Sequence, residues 1–339
     1  MSADFDARAA GFRMPAEFEP HAATWLAWPT RRELWGEYFT GVKRDYARLA
    51  RAIAEVERVH MVACAEDAAE AAAQCGAKVM IVALPIDDSW TRDSGPLFLT
   101  DAAHRLFATS WHFNAWGEKF STYARDAALP AGIAQHLRVP LAEAQMTLEG
   151  GGILSDGCGT IFATETCILN ENRNPGLRKQ AAEREMQRML GAAKIVWLPG
   201  DPLETGTDGH IDGIFALVAP GKALLETTPD PQDARYEILQ ENRRALELAR
   251  DAQGRSIEFA LLPELPRSAA PTEAYCRSYV NFYIANGAVL APTYGHPLDR
   301  EAARVLHLAF PDRRVIELPI GHIARGGGGF HCVTQQQPA

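Results

Sequence analysis

The chain has 339 residues, 47% hydrophobic and 23% charged, with 27 glycines and 21 prolines; this describes a globular protein rich in turns and excludes a disordered or fibrous one. A formal net charge of −9 with no basic run argues against a nucleic-acid binder. No run of about 18 apolar residues suits a membrane span, the first dozen residues do not read as a secretory signal, and six scattered cysteines without a CxxC pair point to a reducing, cytoplasmic setting.

In chain order, helix-like segments alternate with short β-rich runs. Residues 41–57 carry apolar side chains at helical spacing and lead into RVHMVAC; residues 66–75 do the same on a smaller scale before KVMIVAL. A third helix is expected over 119–137, ahead of MTLEG. A fourth begins at Asn174-Pro175, with proline at its first position, ends at Gly191 and precedes KIVWL. A fifth lies near 232–253 before SIEFALL, and a sixth near 299–309 before RRVIELPI. Between them, LFLT with HRLFATSWHF, GGILSDGCGTIFATETCIL and IFALVAPGKALLETT each read as two strands joined by a turn. Antiparallel pairs therefore mix with helical crossovers in an α/β chain. No interior stretch has linker composition, so residues 1–339 are expected to form a single catalytic domain.

Four segments carry chemistry. In PIDDSWTRDSGP, Asp87, Asp88 and Asp93 surround Trp90 and Arg92; carboxylates beside an indole suit a planar cation, although a polar turn paired to Arg92 explains the same residues. In TLEGGGILSDG, Glu149 precedes three glycines. Neither GxGxxG before a helix nor a GKS or GKT signature is present, so Glu149 reads as a pocket carboxylate rather than part of a phosphate cradle. In GTDGHIDG, an extended backbone would put His210 and Asp212 on one face, a proton-transfer group beside an anion; an Asx turn is the plain alternative. In GHIARGGGGFHC, a costly glycine run leads to His331-Cys332. This places Cys332 at a pocket rim or, more plainly, in a loop followed by an inert buried cysteine. No HExxH or paired-cysteine motif speaks for a metal, and GxSxG is missing.

Together, MPAEFEPHAATWLAWP, DDSWTRDSGP, WHFNAWG, LEGG, NENRNPG, GTDGHID, SYVNFYIANGAVLAPTYG and GGGFHCVTQQ resemble the agmatine deiminase family, within the wider group of guanidine-modifying enzymes, over nearly the whole chain. The resemblance implies a five-bladed α/β propeller of the pentein type around a central active-site pocket. It also implies hydrolysis of agmatine to N-carbamoylputrescine and ammonia through a covalent cysteine thiouronium, with water as second nucleophile and neither cofactor nor metal. On this reading Cys332 is the nucleophile, His210 the acid and base, and Asp93 and Asp212 the guanidinium clamp. Glu149 and Trp90 line the substrate, with Asp87 or Asp88 near the distal amine. One departure stands out: Gly329-Phe330 replaces the Asn-Ile usual before His-Cys. The alternatives are an arginine or peptidyl-arginine deiminase of the same mechanism, or a non-catalytic polyamine- or guanidine-binding protein. The partners expected are a small cationic guanidine and water, with no nucleic acid or membrane; a homodimer is permitted but not demanded.

Overall fold

The computed structural model describes residues 5–339. The first strands, β1 (His21–Ala27), β2 (Val59–Ala63) and β3 (Val79–Ala83), run parallel, which requires crossovers. Helices α1 (Phe39–Ile53) and α2 (Ala68–Cys75) supply them. Four further sheets then repeat one arrangement: an antiparallel pair, a helix, and a third strand parallel to the second. In the first, β4 (Leu97–Thr100) and β5 (Leu106–His112) lead through α3 (Leu129–Leu137) to β6 (Leu141–Thr147). In the next, β7 (Ile153–Ser155) and β8 (Thr160–Thr164) lead through α4 (Lys179–Leu190) to β9 (Lys194–Leu198). β10 (Phe215–Ala219) and β11 (Lys222–Thr227) continue through α5 (Tyr236–Leu248) to β12 (Glu258–Pro263). β13 (Tyr283–Ala285) and β14 (Ala288–Thr293) continue through α6 (Asp299–Ala309) to β15 (Arg314–Pro319). The last strand, β16 (Gln335–Pro338), returns to pair antiparallel with β1, giving the order β16-β1-β2-β3.

The expectation of a five-bladed propeller is corrected. The strands fall into five separate mixed sheets of three or four strands each, and no propeller is evident. None of the sheets is closed into a barrel or strongly curled, because backbone pairing is confined to sets of strands too few to close. The mixture of hairpins and crossovers read from the sequence is present in every one of the four repeated units.

Local chemistry explains the element boundaries. In the β7–β8 turn, Asp156 Oδ1 accepts from the backbone N–H of Cys158 at 2.7 Å and of Thr160 at 2.8 Å, an Asx-type turn. On α1, Val42, Tyr46, Leu49 and Ile53 recur at helical spacing and are fully buried in one cluster with Val59, Met61 and Ala63 of β2. The third predicted helix breaks into residues 124–127 and α3, where Pro130 sits in the first turn. The fourth starts at Lys179 rather than Pro175. Asn174 is engaged elsewhere: its Oδ1 accepts from Thr147 N, and its Nδ2 donates to the carbonyls of Thr147 and Ile168. Among the described residues, no helix is long and apolar enough to cross a membrane.

Candidate active site

Each of the five sheets delivers side chains to one place from the stretch just ahead of a strand that pairs antiparallel with its neighbour. Asp93 lies on a short helix, Thr91–Ser94, before β4, and Glu149 lies before β7. His210 and Asp212 precede β10, Asn281 precedes β13, and Cys332 precedes β16. All six are buried, with Cys332 at 9% exposure and Glu149 at 0%. Of the two conformations left open for the segment around His210, it is not extended: Ile211–Gly213 is a 3-10 turn. Even so, His210 and Asp212 face the same spot. A Cβ built on Gly151 would meet His210 Nδ1 at 2.6 Å, Asp93 Oδ1 at 2.8 Å and Asp212 Oδ2 at 3.0 Å. Gly151 therefore serves close approach of backbone to charged groups.

The carboxylates are held by hydrogen bonds. Asp93 Oδ1 accepts from Gly151 N at 2.9 Å and its Oδ2 from Trp116 Nε1 at 2.9 Å. Burial, reinforced by Asp212 and opposed by His210, raises the Asp93 pKa above its ordinary value. Asp212 Oδ2 lies 2.8 Å from His331 Nδ1 and 3.5 Å from Cys332 Sγ. Burial disfavours the Asp212 anion, but the hydrogen bond and charge of His331 prevail and lower its pKa. His331 reaches Glu17 Oε2 through Nε2 at 2.8 Å. Burial and Arg92 push the His331 pKa down, yet Glu17 and Asp212 raise it overall. Glu17 sits low, at about 2: burial opposes ionisation, but His331 and Arg92 outweigh it.

A second chain of contacts orients the imidazole. His210 Nε2 lies 3.3 Å from Glu149 Oε2, while Arg173 Nε donates to Glu149 Oε1 at 2.7 Å. The other nitrogen, Nδ1, has no hydrogen-bond partner and lies 3.7 Å from Asp93 Oδ1. Burial disfavours the imidazolium, but Asp93 and Cys167 lead a set of neighbours that raise the pKa well above the usual histidine value. For Cys332, burial first and then Asp212 and Asp93 push the thiol well up, so it rests protonated.

Cys167 donates to Glu149 Oε2 at 3.7 Å. Glu149, Cys167 and His210 place one possible ligand atom each within 4.8 Å of one another. Among the described residues this is the donor set that could hold a metal ion, and it shares its imidazole with the site.

Trp90 is buried, stacked on Trp35 with ring centroids 5.7 Å apart, and packed against Gly328. Asp87 and Asp88 make hydrogen bonds to other partners. Asp88 accepts from Arg31 Nε at 3.0 Å and from Ser89 N, and Asp87 accepts from Arg125 N at 2.8 Å. Sequence reasoning missed Asn281, His331, Glu17, Arg173, Cys167 and Trp116. Only Trp116 leaves a local mark in the structure, through positive φ at Ala115 (52°), Trp116 (58°) and Glu118 (60°), strained values for residues other than glycine.

Comparison with known proteins agrees with this geometry. The Porphyromonas-type peptidyl-arginine deiminase family matches residues 13–338. An agmatine deiminase of Stutzerimonas stutzeri is 38% identical over 97% of this chain and 96% of its own length. One from Pseudomonas aeruginosa is 37% identical over 98% and 97%. The solved structure of an agmatine deiminase of Enterococcus faecalis superposes with a TM-score of 0.95 at 29% identity, covering 99% of this chain and 98% of that one.

Proposed function

The chain belongs to the Porphyromonas-type peptidyl-arginine deiminase family, and from that premise we propose that it hydrolyses agmatine to N-carbamoylputrescine and ammonia, with Cys332 as nucleophile. The observation that carries this reading is the convergence of His210 Nδ1, Asp93 Oδ1 and Asp212 Oδ2 within 3.0 Å of one point beside Gly151, with Cys332 Sγ 3.5 Å from Asp212 Oδ2. Two carboxylates and a thiol brought this close suit a planar guanidinium held for attack.

Asp93 and Asp212 bind the N–H groups of the substrate. Its positive charge offsets the two carboxylates that hold the Cys332 proton, so the thiol ionises as the substrate arrives and its proton passes to solvent. The thiolate forms an S–C bond to the guanidinium carbon, giving a neutral tetrahedral adduct. Protonated His210 gives its proton to one nitrogen; the C–N bond breaks, ammonia leaves and a cationic S-alkylthiouronium remains. Neutral His210, oriented by Glu149, then takes a proton from water as the oxygen bonds to the same carbon. The C–S bond breaks as the hydroxyl proton passes to the departing sulfur, releasing the ureido product and restoring the thiol, and the released ammonia takes up the proton given to solvent at the start. Substrate cation and water are thereby converted to ureido product and ammonium, with charge conserved.

Two features favour a small amine over arginine or a peptide. The site is closed: Asp93, His210, Asp212 and Cys332 are each at least nine-tenths buried. Its nearby arginines are also committed. Arg92 donates to Glu17, Gln336 and the His331 carbonyl; Arg173 is bound to Glu149, Asp208 and the Thr207 carbonyl. An α-carboxylate would find neither free. The 339 residues act as one catalytic unit on this reading.

Labelling with 2-chloroacetamidine tests it. A single adduct on Cys332, blocked by agmatine and accompanied by loss of turnover, is expected. Indiscriminate labelling of several cysteines with activity retained would refute the nucleophile.

A further inference from the structure

A second buried thiol lies beside the acid–base histidine, and nothing in the reaction above uses it. Cys167 belongs to a short helix, Glu165–Ile168, that directly follows β8, and it is 0% exposed. Its Sγ lies 3.7 Å from Glu149 Oε2, and the same oxygen lies 3.3 Å from His210 Nε2. Three segments, ahead of β7, after β8 and ahead of β10, thus bring a carboxylate oxygen, a sulfur and an imidazole nitrogen together. All three donor atoms lie within 4.8 Å of one another. Arg173 Nε donates to Glu149 Oε1, so it holds the carboxylate by one oxygen and leaves Oε2 to the other two donors.

The spacing suits one kind of ion. Zinc bonds a thiolate at about 2.3 Å and an imidazole nitrogen or carboxylate oxygen at about 2.0–2.2 Å, so at tetrahedral angles its donors stand about 3.3–3.6 Å apart. The separations of 3.3 Å and 3.7 Å fall at the edges of that range. Magnesium and calcium prefer oxygen ligands, so a sulfur and an imidazole beside one carboxylate select against them. The far side of the ring fits as well. Asp93 Oδ1 lies 3.7 Å from His210 Nδ1, on the side where ligating histidines commonly face a carboxylate.

We propose that Glu149, Cys167 and His210 form an inhibitory site for a zinc-like divalent cation, with water as the fourth ligand. Binding displaces two protons to solvent, one from the Cys167 thiol and one from His210 Nε2, and transfers no electron. A dication and a thiolate together carry the same charge as the imidazolium and thiol they replace. The carboxylates that favour protonated His210 therefore favour the metal as well. With Nε2 bound to metal, the ring no longer passes between imidazolium and imidazole, the cycle that proton delivery and water activation need. The inhibition rests on His210 as the acid and base proposed above; the binding does not.

Cobalt(II), which accepts the same ligands and is coloured, is the probe. Titrated into the full chain, it is expected to bind at one ion per chain, with a sulfur-to-cobalt charge-transfer band and the visible absorption of tetrahedral cobalt. The band should persist in Cys332→Ser and vanish in Cys167→Ser, which keeps the shape of the side chain but not the soft ligand. Zinc should displace the cobalt and lower agmatine turnover by the unaltered chain about a hundredfold or more, reversibly on chelation. A band lost in Cys332→Ser, or kept in Cys167→Ser, overturns the proposal, as does failure of the unaltered chain to bind cobalt. Should Cys167→Ser fold poorly, Cys332→Ser decides alone, because a band there cannot come from the nucleophile and its absence sinks the site. Turnover undiminished with the site filled overturns the inhibition and counts against His210 as the acid and base. A chain that binds cobalt as expected but never turns over agmatine is a distinct result, which fails the proposed reaction and leaves the metal site standing.

Discussion

Cys332 sits among anions, and that sets its chemistry. With burial, Asp212 and Asp93 all raising its pKa, the resting sulfur carries a proton at neutral pH, while His210 is held as imidazolium. Reactivity should therefore depend on the charge of the incoming reagent. Iodoacetamide, which is neutral, should react slowly at pH 7 and accelerate steadily as the pH is raised, since only the thiolate attacks. The cationic 2-chloroacetamidine should gain at least about tenfold over it at pH 7, relative to a free thiol, because its charge offsets the carboxylates. Equal relative rates for the two reagents would mean that the thiolate preexists. At this scale the sequence was informative where residue type announces chemistry: Cys332, His210, Asp93, Asp212 and Glu149 meet in space. It was silent on Asn281 and Arg173, since a polar residue within an apolar run and an arginine within a turn look the same whether they hold a sulfur, a carboxylate or nothing. His331 was overshadowed by its neighbour, and its bridge from Asp212 to Glu17 depends on a residue more than three hundred positions away.

The elements matter because each sheet presents one short stretch ahead of a strand, so the rigidity of the strand behind it positions a reacting group. Helix α1 shows what keeps such a sheet in place. Leu49 is fully buried in the cluster that also contains Trp90, Phe330 and Cys332. Leu49→Ala should cost about 2–5 kcal/mol of unfolding free energy, measured by denaturant titration. A loss under about 1 kcal/mol would show that this packing does not hold the sheet. Helical spacing made α1 and α6 legible; α6 spans Asp299–Ala309, the range read from the sequence. The start of α4 was misread because Asn174 has a helix-capping chemistry that tertiary contacts with β6 and Ile168 put to another use. For the segment carrying His210 the sequence left an extended run and a turn both open, because period-two spacing over three residues cannot distinguish a strand from a 3-10 turn.

For the whole molecule, alternation and hairpins identified mixed α/β units, whereas the propeller expectation came from resemblance alone and the five separate sheets correct it. The termini are tied by the pairing of β16 with β1, a contact between segments so distant that no local pattern could reveal it. With a net charge of −9 the chain as a whole favours approach of a cation, but the closed site and the committed arginines Arg92 and Arg173 decide which cation can react. The most direct measurement is turnover of agmatine, free arginine and a blocked peptidyl-arginine, following ammonia and ureido product together, with Cys332→Ala alongside each. The account predicts equal amounts of ammonia and N-carbamoylputrescine from agmatine, little from the other two, and none from the Cys332→Ala variant. Turnover surviving that substitution, or arginine consumed in preference to agmatine, would contradict it.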